Sequence, residues 1–219
     1  MKHYFICLAN SKKYNERCVA GIEVKRSQRL GYYIVLKDEK PRWLRPVTST
    51  GHGEVPAYEV ANISLMDVVE IDVIEEHPAG YQSENIFYKQ SSMKILENLG
   101  FNGYMLNKII TPDLTDLFGN KGKAVSMEDI SEVDHSLVLI KVVNPEMYQY
   151  TEHGKNQLRC KFYFNGHQYD LPITDIKFIA KYENEPSFFE GKADIFFTIS
   201  LGVCFEGWHY KLIAGVICL

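Results

Sequence analysis

A chain of 219 residues with 46% hydrophobic, 24% charged and 13% aromatic residues can bury a sizeable core, which excludes a disordered polyelectrolyte and needs no metal or disulfide to stay folded. Its formal charge of −4 is unevenly placed: residues 1–45 carry 11 Lys/Arg against 4 Asp/Glu (+7), and the other 174 residues carry 13 against 24 (−11). A basic segment on an acidic remainder points to a confined surface for an anionic partner rather than a general polyanion binder.

Alternating apolar and polar residues predict strands over residues 4–8, 18–24, 31–36, 43–48 and 69–73. The clearest is Val69, Ile71 and Val73 against Glu70 and Asp72, one buried face and one wet face. Pro46 confines the fourth strand to an edge or a strand end. Residues 1–90 therefore read as a small five-stranded unit. In residues 91–99, Met93, Leu96 and Leu99 fall on one helical face, with Ser91 or Ser92 as N-cap and Gly100 beyond the end, so a helix is expected there. Residues 91–134 read as a helix and loop connector, with another short helix near 127–130. Strand signals return over 137–143, a run apolar but for Lys141, and over 159–164 and 167–173, which flank the hairpin dipeptide Asn165-Gly166. Residues 194–203 and 210–219 complete a second unit, 135–219, with the C-terminus pinned in a sheet.

The expected fold class is all-β with minor α, two small OB-like β-barrels joined by the connector; SH3-like barrels or sandwiches meet the same strand count. No sequence repeat links the two halves. Five widely spaced cysteines without a CxxC pair predict free thiols in a reducing, cytoplasmic setting, and the N-terminal apolar run is too short for a signal peptide. No stretch approaches the ~20 apolar residues of a membrane span. No cofactor or metal is expected: the seven histidines are dispersed without HExxH, and GxGxxG, GxxxxGK[ST] and GxSxG are absent.

Three groups of side chains could meet a ligand in the first unit. Asn10, Ser11, Lys12 and Arg17 surround the first hairpin, where cations and short polar groups suit phosphate; the plain alternative is turn formation with solvated lysines. Trp43 and Arg45 combine a stacking platform with a bidentate cation, against a core Trp and a rim Arg. Gln82 and Asn85 can read base edges, or simply form a polar turn. A second site could gather Thr174, Asp175, Ser200 and Lys211 near Gly202 and Gly207, residues equally suited to core and turn duty.

At Cys7-Leu8-Ala9-Asn10-Ser11-Lys12, Arg17-Cys18-Val19-Ala20-Gly21, Trp43-Leu44-Arg45-Pro46-Val47, Gln82-Ser83-Glu84-Asn85, Ser200-Leu201-Gly202 and Tyr210-Lys211-Leu212-Ile213-Ala214, the chain resembles the bacterial dual OB-containing domain family. The segments span nearly the whole chain in consistent order, and their specificity lies in that order. The resemblance implies two OB-like barrels and nucleic-acid or nucleotide recognition, often in prokaryotic phage defence, with no catalytic residues to transfer. Gly202-Val203-Cys204-Phe205 departs from the acidic or polar residue followed by Pro that the family leads one to expect.

The reading that results is a non-enzymatic module binding nucleic acid, single-stranded by preference. Its alternative is a sensor of a small molecule or nucleotide between the barrels. A hydrolase or transferase using Asn10, Ser11, Glu84 or Asp175 has no nucleophile–base pair to rest on. An adaptor for another defence-system protein, through the connector, completes the set.

Overall fold

The computed structural model describes residues 1–28, 31–49, 51–100, 103–152, 154–192 and 194–219; Arg29 of the basic segment and Phe101 of the expected connector lie outside them. The chain divides into two compact units, Met1–Asn102 and Gly103–Leu219.

In the first unit, β1 (Lys2–Lys13) and β2 (Glu16–Ser27) form a long hairpin, followed by the short β3 (Gly31–Ile34), β4 (Leu36–Lys37) and β5 (Lys40–Pro41). Then come β6 (Trp43–Val47), α1 (Ala57–Val60), β7 (Asp67–Glu76), β8 (Asn85–Tyr88) and β9 (Lys94–Asn98). Pairing runs β1-β2-β6-β8-β7 and returns to β1, with β6 and β8 parallel. That order closes a five-stranded barrel, and closure removes the open edges that an apolar sheet would expose. Phe5, Cys7, Val19, Leu44, Val69, Ile71 and Ile86 fill its interior. A Cβ on Gly21 would lie 1.9 Å from the Ile6 carbonyl oxygen, so only glycine fits where β2 crosses β1 this closely. Pro46 is the penultimate residue of β6, past the last pairing with β2 at Leu44, as a proline in a strand requires.

The second unit opens with α2 (Gly103–Ile109) and β10 (Ala124–Ser126). Its barrel comprises β11 (Leu137–Glu152), β12 (Lys155–Phe164), β13 (His167–Pro172), α3 (Ile176–Asn184), β14 (Ile195–Phe205) and β15 (Trp208–Cys218). The sheet order is β10-β15-β14-β11-β12-β13, and a parallel bridge from Ile173 to Ile213 joins the end of β13 to β15. Numbered within each barrel, both units pair their strands as 1-2-3-5-4, with the third and fifth parallel and a helix between the third and fourth. Phe162, Phe196, Phe197, Leu139 and Ile199 are fully or almost fully buried in the second. Asn165 and Gly166 take φ of 47° and 78°, the paired positive values that a type I′ turn imposes, and β12 and β13 form the expected hairpin.

The helix expected over residues 91–99 is a correction: residues 94–98 form β9, which pairs with β7. Met93 does pack on the core, but from the residue just before β9, and β9 itself is exposed or half-buried. A three-residue apolar stripe is too little to hold a helix against a partner strand offering backbone hydrogen bonds. The helical turn expected near 127–130 lies at Ile130–Glu132 as a 3-10 turn. The strand expected over 31–36 is broken into β3 and β4.

Candidate functional site

Part of the basic segment is answered by acids of its own unit. Lys2 pairs with Glu70 at 2.7 Å, Lys37 with Glu76 at 3.9 Å, and Arg42 with both Glu23 and Glu76 at 2.6 Å. Residues 1–102 hold 13 Lys/Arg and 13 Asp/Glu, so the unit is neutral as a whole.

Arg45, Gln82 and Asn85 do come together. The parallel pairing of β6 with β8 sets Arg45 opposite Asn85, whose Oδ1 accepts from Arg45 Nε at 2.6 Å. Asn85 Nδ2 in turn donates to Gln82 Oε1 at 3.4 Å, and Glu84 Oε1 lies 3.6 Å from Arg45 Nη2. The side chains of Arg45 and Glu84 are only 5% and 4% exposed, so the guanidinium is enclosed by its own barrel. Asn10 is buried too, and its Nδ2 donates to the Val60 and Ile63 carbonyls at 2.9 Å each, tying β1 to the turn after α1. Ser11 is buried, its hydroxyl 3.5 Å from the Cys18 carbonyl. Lys12 is exposed, while Arg17 and Trp43 are half-buried on β2 and β6.

The residues expected to form a second site separate into structural roles. Asp175 caps α3 by accepting from Phe178 N at 3.0 Å, and its other oxygen accepts from Val216 N at 3.0 Å. Burial pushes its carboxyl up to about 6. The Thr174 hydroxyl donates to the Ile213 carbonyl at 3.2 Å, and Ser200 is buried in the β11–β14–β15 sheet. Lys211 differs from these. Fully buried, its Nζ donates to the Asn120 carbonyl at 2.7 Å and to Asn120 Oδ1 at 2.8 Å, over the Tyr169 ring. Asn120 Oδ1 also accepts from Gly122 N at 2.8 Å, and its Nδ2 donates to the Ala124 carbonyl at 3.0 Å. Lys211 and Asn120 thus shape the loop that presents Lys121 and Lys123.

That loop forms one wall of a cleft of about 490 Å3, whose other walls are Tyr148, Tyr150, Arg159, Gln168, Tyr169 and Asp170. Antiparallel pairing places Arg159 of β12 opposite Tyr148 of β11, with Tyr150 two residues along on the same face. Arg159 is held on several sides: Nε lies 3.0 Å from Asp170 Oδ1, Nη2 2.8 Å from the Asp170 carbonyl, and Nη1 2.9 Å from Gln157 Oε1. Its guanidinium carbon stands 5.8 Å from the Tyr150 ring centroid. The Tyr148 hydroxyl donates to Asp170 Oδ2 at 2.6 Å. Burial and that carboxylate raise the Tyr148 phenol above its ordinary value, which keeps it a neutral donor beside the cation. Lys161 lies 5.1 Å over the other tyrosine of the pair, Tyr148. Three cations, Lys121, Lys123 and Arg159, and three tyrosines, Tyr148, Tyr150 and Tyr169, share the cleft with the Asp170 carboxylate. The cleft spans the first three barrel strands, β11, β12 and β13, and so includes the face of the second and third strands where OB folds receive oligonucleotides and sugars.

None of the cleft residues was singled out from sequence. The signal that could have found them is period-2: Tyr148-x-Tyr150, beyond the strand expected over 137–143 but within β11, Arg159-x-Lys161 on the next strand, and Lys121-Gly-Lys123 before both. Among the described residues, no group of His, Cys, Asp or Glu is placed to hold a metal ion, and no helix is long and apolar enough to cross a membrane.

Comparison with curated proteins gives no match. Among solved structures, the chain is similar to one described as the structure and conformational change of a Replication Protein A heterotrimer bound to ssDNA, at 9% identity and a TM-score of 0.37. All of this chain but only 48% of that one is covered, so the chain spans about half the length of the structure it matches. The family model of the dual OB-containing domain matches residues 3–216, nearly the full span over which the two barrels are built. By strand order in both units and by that match, the chain belongs to the dual OB-containing domain family.

Proposed function

We propose that this chain is a non-enzymatic binder of single-stranded nucleic acid, with the cleft of the second barrel as its site. The observation that carries the reading is Arg159, fixed by Asp170 and Gln157 beside Tyr148 and Tyr150, with Lys121 and Lys123 on the facing loop. A guanidinium and two ammonium groups suit the phosphates of one strand, and tyrosine rings offer base-stacking surfaces indifferent to sequence. Duplex DNA would not present its bases to such a cleft. On this reading Asn10, Arg45 and Asn85 hold the first barrel, while Lys12 and Arg17 add general attraction only.

The test is anisotropy of a labelled dT12 strand across a salt series. Binding that weakens with salt and falls more than tenfold in Arg159→Ala, but little in Arg17→Ala, is expected. Each phosphate contact contributes about 0.7 to the slope of log affinity against log salt for a single strand, so Lys121→Ala with Lys123→Ala lowers that slope by about 1.4. Absence of binding at low salt removes the reading.

A second reading is a nucleotide sensor, favoured by the cleft volume of about 490 Å3, within the usual range for small-molecule sites. Thermal stabilisation by mononucleotides with no gain from longer strands would select it. A place in prokaryotic phage defence, alone or with a further defence protein, is part of the proposal and rests on the family resemblance. Plaque counts on cells expressing the chain or its Arg159→Ala form test it. The five free thiols support a reducing, cytoplasmic setting.

A further inference from the structure

The turn between β14 and β15 exposes more apolar surface than a hairpin tip needs. Phe205 and Trp208 are a cross-strand pair, 61% and 47% exposed. Met127, 59% exposed, is set beside them because its N–H donates to the Gly207 carbonyl at 3.1 Å. Aromatic residues and methionine are the types enriched where proteins meet. The two segments that build this knob, residues 126–132 and 203–209, contain Glu128, Asp129, Glu132 and Glu206 and no Lys or Arg. An acidic rim repels phosphate, so the knob does not extend the nucleic-acid face.

The same barrel carries the complement. The cleft presents Lys121, Lys123 and Arg159 around Tyr148 and Tyr150, a basic rim on an aromatic floor. Knob and cleft are neighbours, because Lys123 directly precedes β10 and the last residue of β10, Ser126, pairs with Trp208. Two copies can therefore each insert a knob into the other's cleft about one two-fold axis, which closes the assembly instead of propagating it. We propose that this chain self-associates reciprocally, the Phe205–Trp208 knob of each copy occupying the basic cleft of the other. Nucleic acid and the second copy would then compete for one site; that competition rests on the function proposed above, whereas the self-association does not.

Sedimentation velocity from low to high micromolar concentration at low salt tests it. The intact chain is expected to shift from monomer to dimer. Phe205→Ser with Trp208→Ser, and separately Lys121→Glu with Lys123→Glu, are each expected to remain monomeric, with far-UV circular dichroism confirming that both fold. Mixing the two variants restores a heterodimer, because one intact knob then meets one intact cleft. A chain that stays monomeric throughout, or a dimer that survives the lysine substitutions, overturns the proposal. A dimer dispersed by dT12 supports the shared site, and a dimer indifferent to a strand that binds refutes the competition alone. If dT12 fails to bind while the dimer forms as described, the nucleic-acid reading falls and the self-association stands.

Discussion

Arg45 and Arg159 sit on barrels of the same strand order, one on the third strand of the first and the other on the second strand of the second, and their surroundings differ. Arg45 is 5% exposed, with Glu84 and Asn85 of the same barrel against its guanidinium. Arg159 is 16% exposed at the mouth of a cleft, held on its sides with tyrosine rings beside it. On the first barrel the neighbouring positions Ala20 and Ile22 are fully buried, whereas Lys161 and Tyr163 on the second are exposed. The number of cations in a stretch of chain thus says little about where an anion can land. What decides is whether the cation meets its counter-charge within the fold or is left facing outward with its geometry already fixed.

Exchanging what the two arginines lose breaks this comparison most directly. Arg45→Ala leaves the Glu84 carboxylate buried without its cation and is expected to cost about 3–5 kcal/mol in urea unfolding, with oligonucleotide affinity of the folded fraction unchanged. Arg159→Ala should show the reverse, since its pair with Asp170 is partly solvated and contributes about 0–1 kcal/mol to stability. Equal loss of stability in both would erase the distinction between a structural and a binding arginine. Tyr150→Ala is expected to weaken dT12 binding by about 1–3 kcal/mol, the usual worth of one stacked base. Trp43→Ala, on the first barrel, should leave that affinity alone.

The second barrel also carries a buried acid that the ligand reading does not use. Asp175 titrates near 6 because burial disfavours its charge, against an ordinary value of 3.8. Between those values the folded state holds the proton that the unfolded chain has released, so stability falls as pH rises through this window. Asp175→Asn is expected to flatten that slope in thermal melts between pH 4 and 6. Asp175→Ala loses the cap of α3 as well, at about 0.5–2 kcal/mol.

Strands were legible where alternation and turn chemistry agreed: Val69 to Val73, and the Asn165-Gly166 hairpin with both residues at positive φ. Residues 91–99 misled because Met93, Leu96 and Leu99 satisfy a helical spacing while the open edge of β7 offers backbone partners that no local pattern reveals. The counter-charges were equally hidden. Lys2 meets Glu70 across 68 positions, and Arg42 meets Glu76 across 34. The cleft depends on a pairing register that sets Tyr148 against Arg159, and on a lysine reaching 91 positions back to Asn120. The repeated barrel left no trace in residue identity because strand order is conserved by pairing and packing alone. Lys211 was visible as a candidate, but its target was not: it shapes the wall of the site from beneath.

That indirect role makes the smallest but most specific prediction. Burial pushes the Lys211 ammonium down to about 8, with Asp116 opposing the shift and the Tyr169 ring and Asn120 facing the same amine. Above pH 8 the folded chain sheds a proton that the unfolded chain keeps up to its ordinary 10.5, so stability should rise with pH across that window. Ligand affinity should move the opposite way, because the same deprotonation removes a positive charge under the Lys121–Lys123 loop and loosens its hold on Asn120. A few-fold weaker dT12 binding at pH 9 than at pH 7, alongside a higher melting temperature, is expected of the intact chain. Lys211→Met should lose both trends together. If affinity falls with pH as steeply in Lys211→Met, the loop is held by Asn120 and Tyr169 without the lysine, and the pH response belongs to another group.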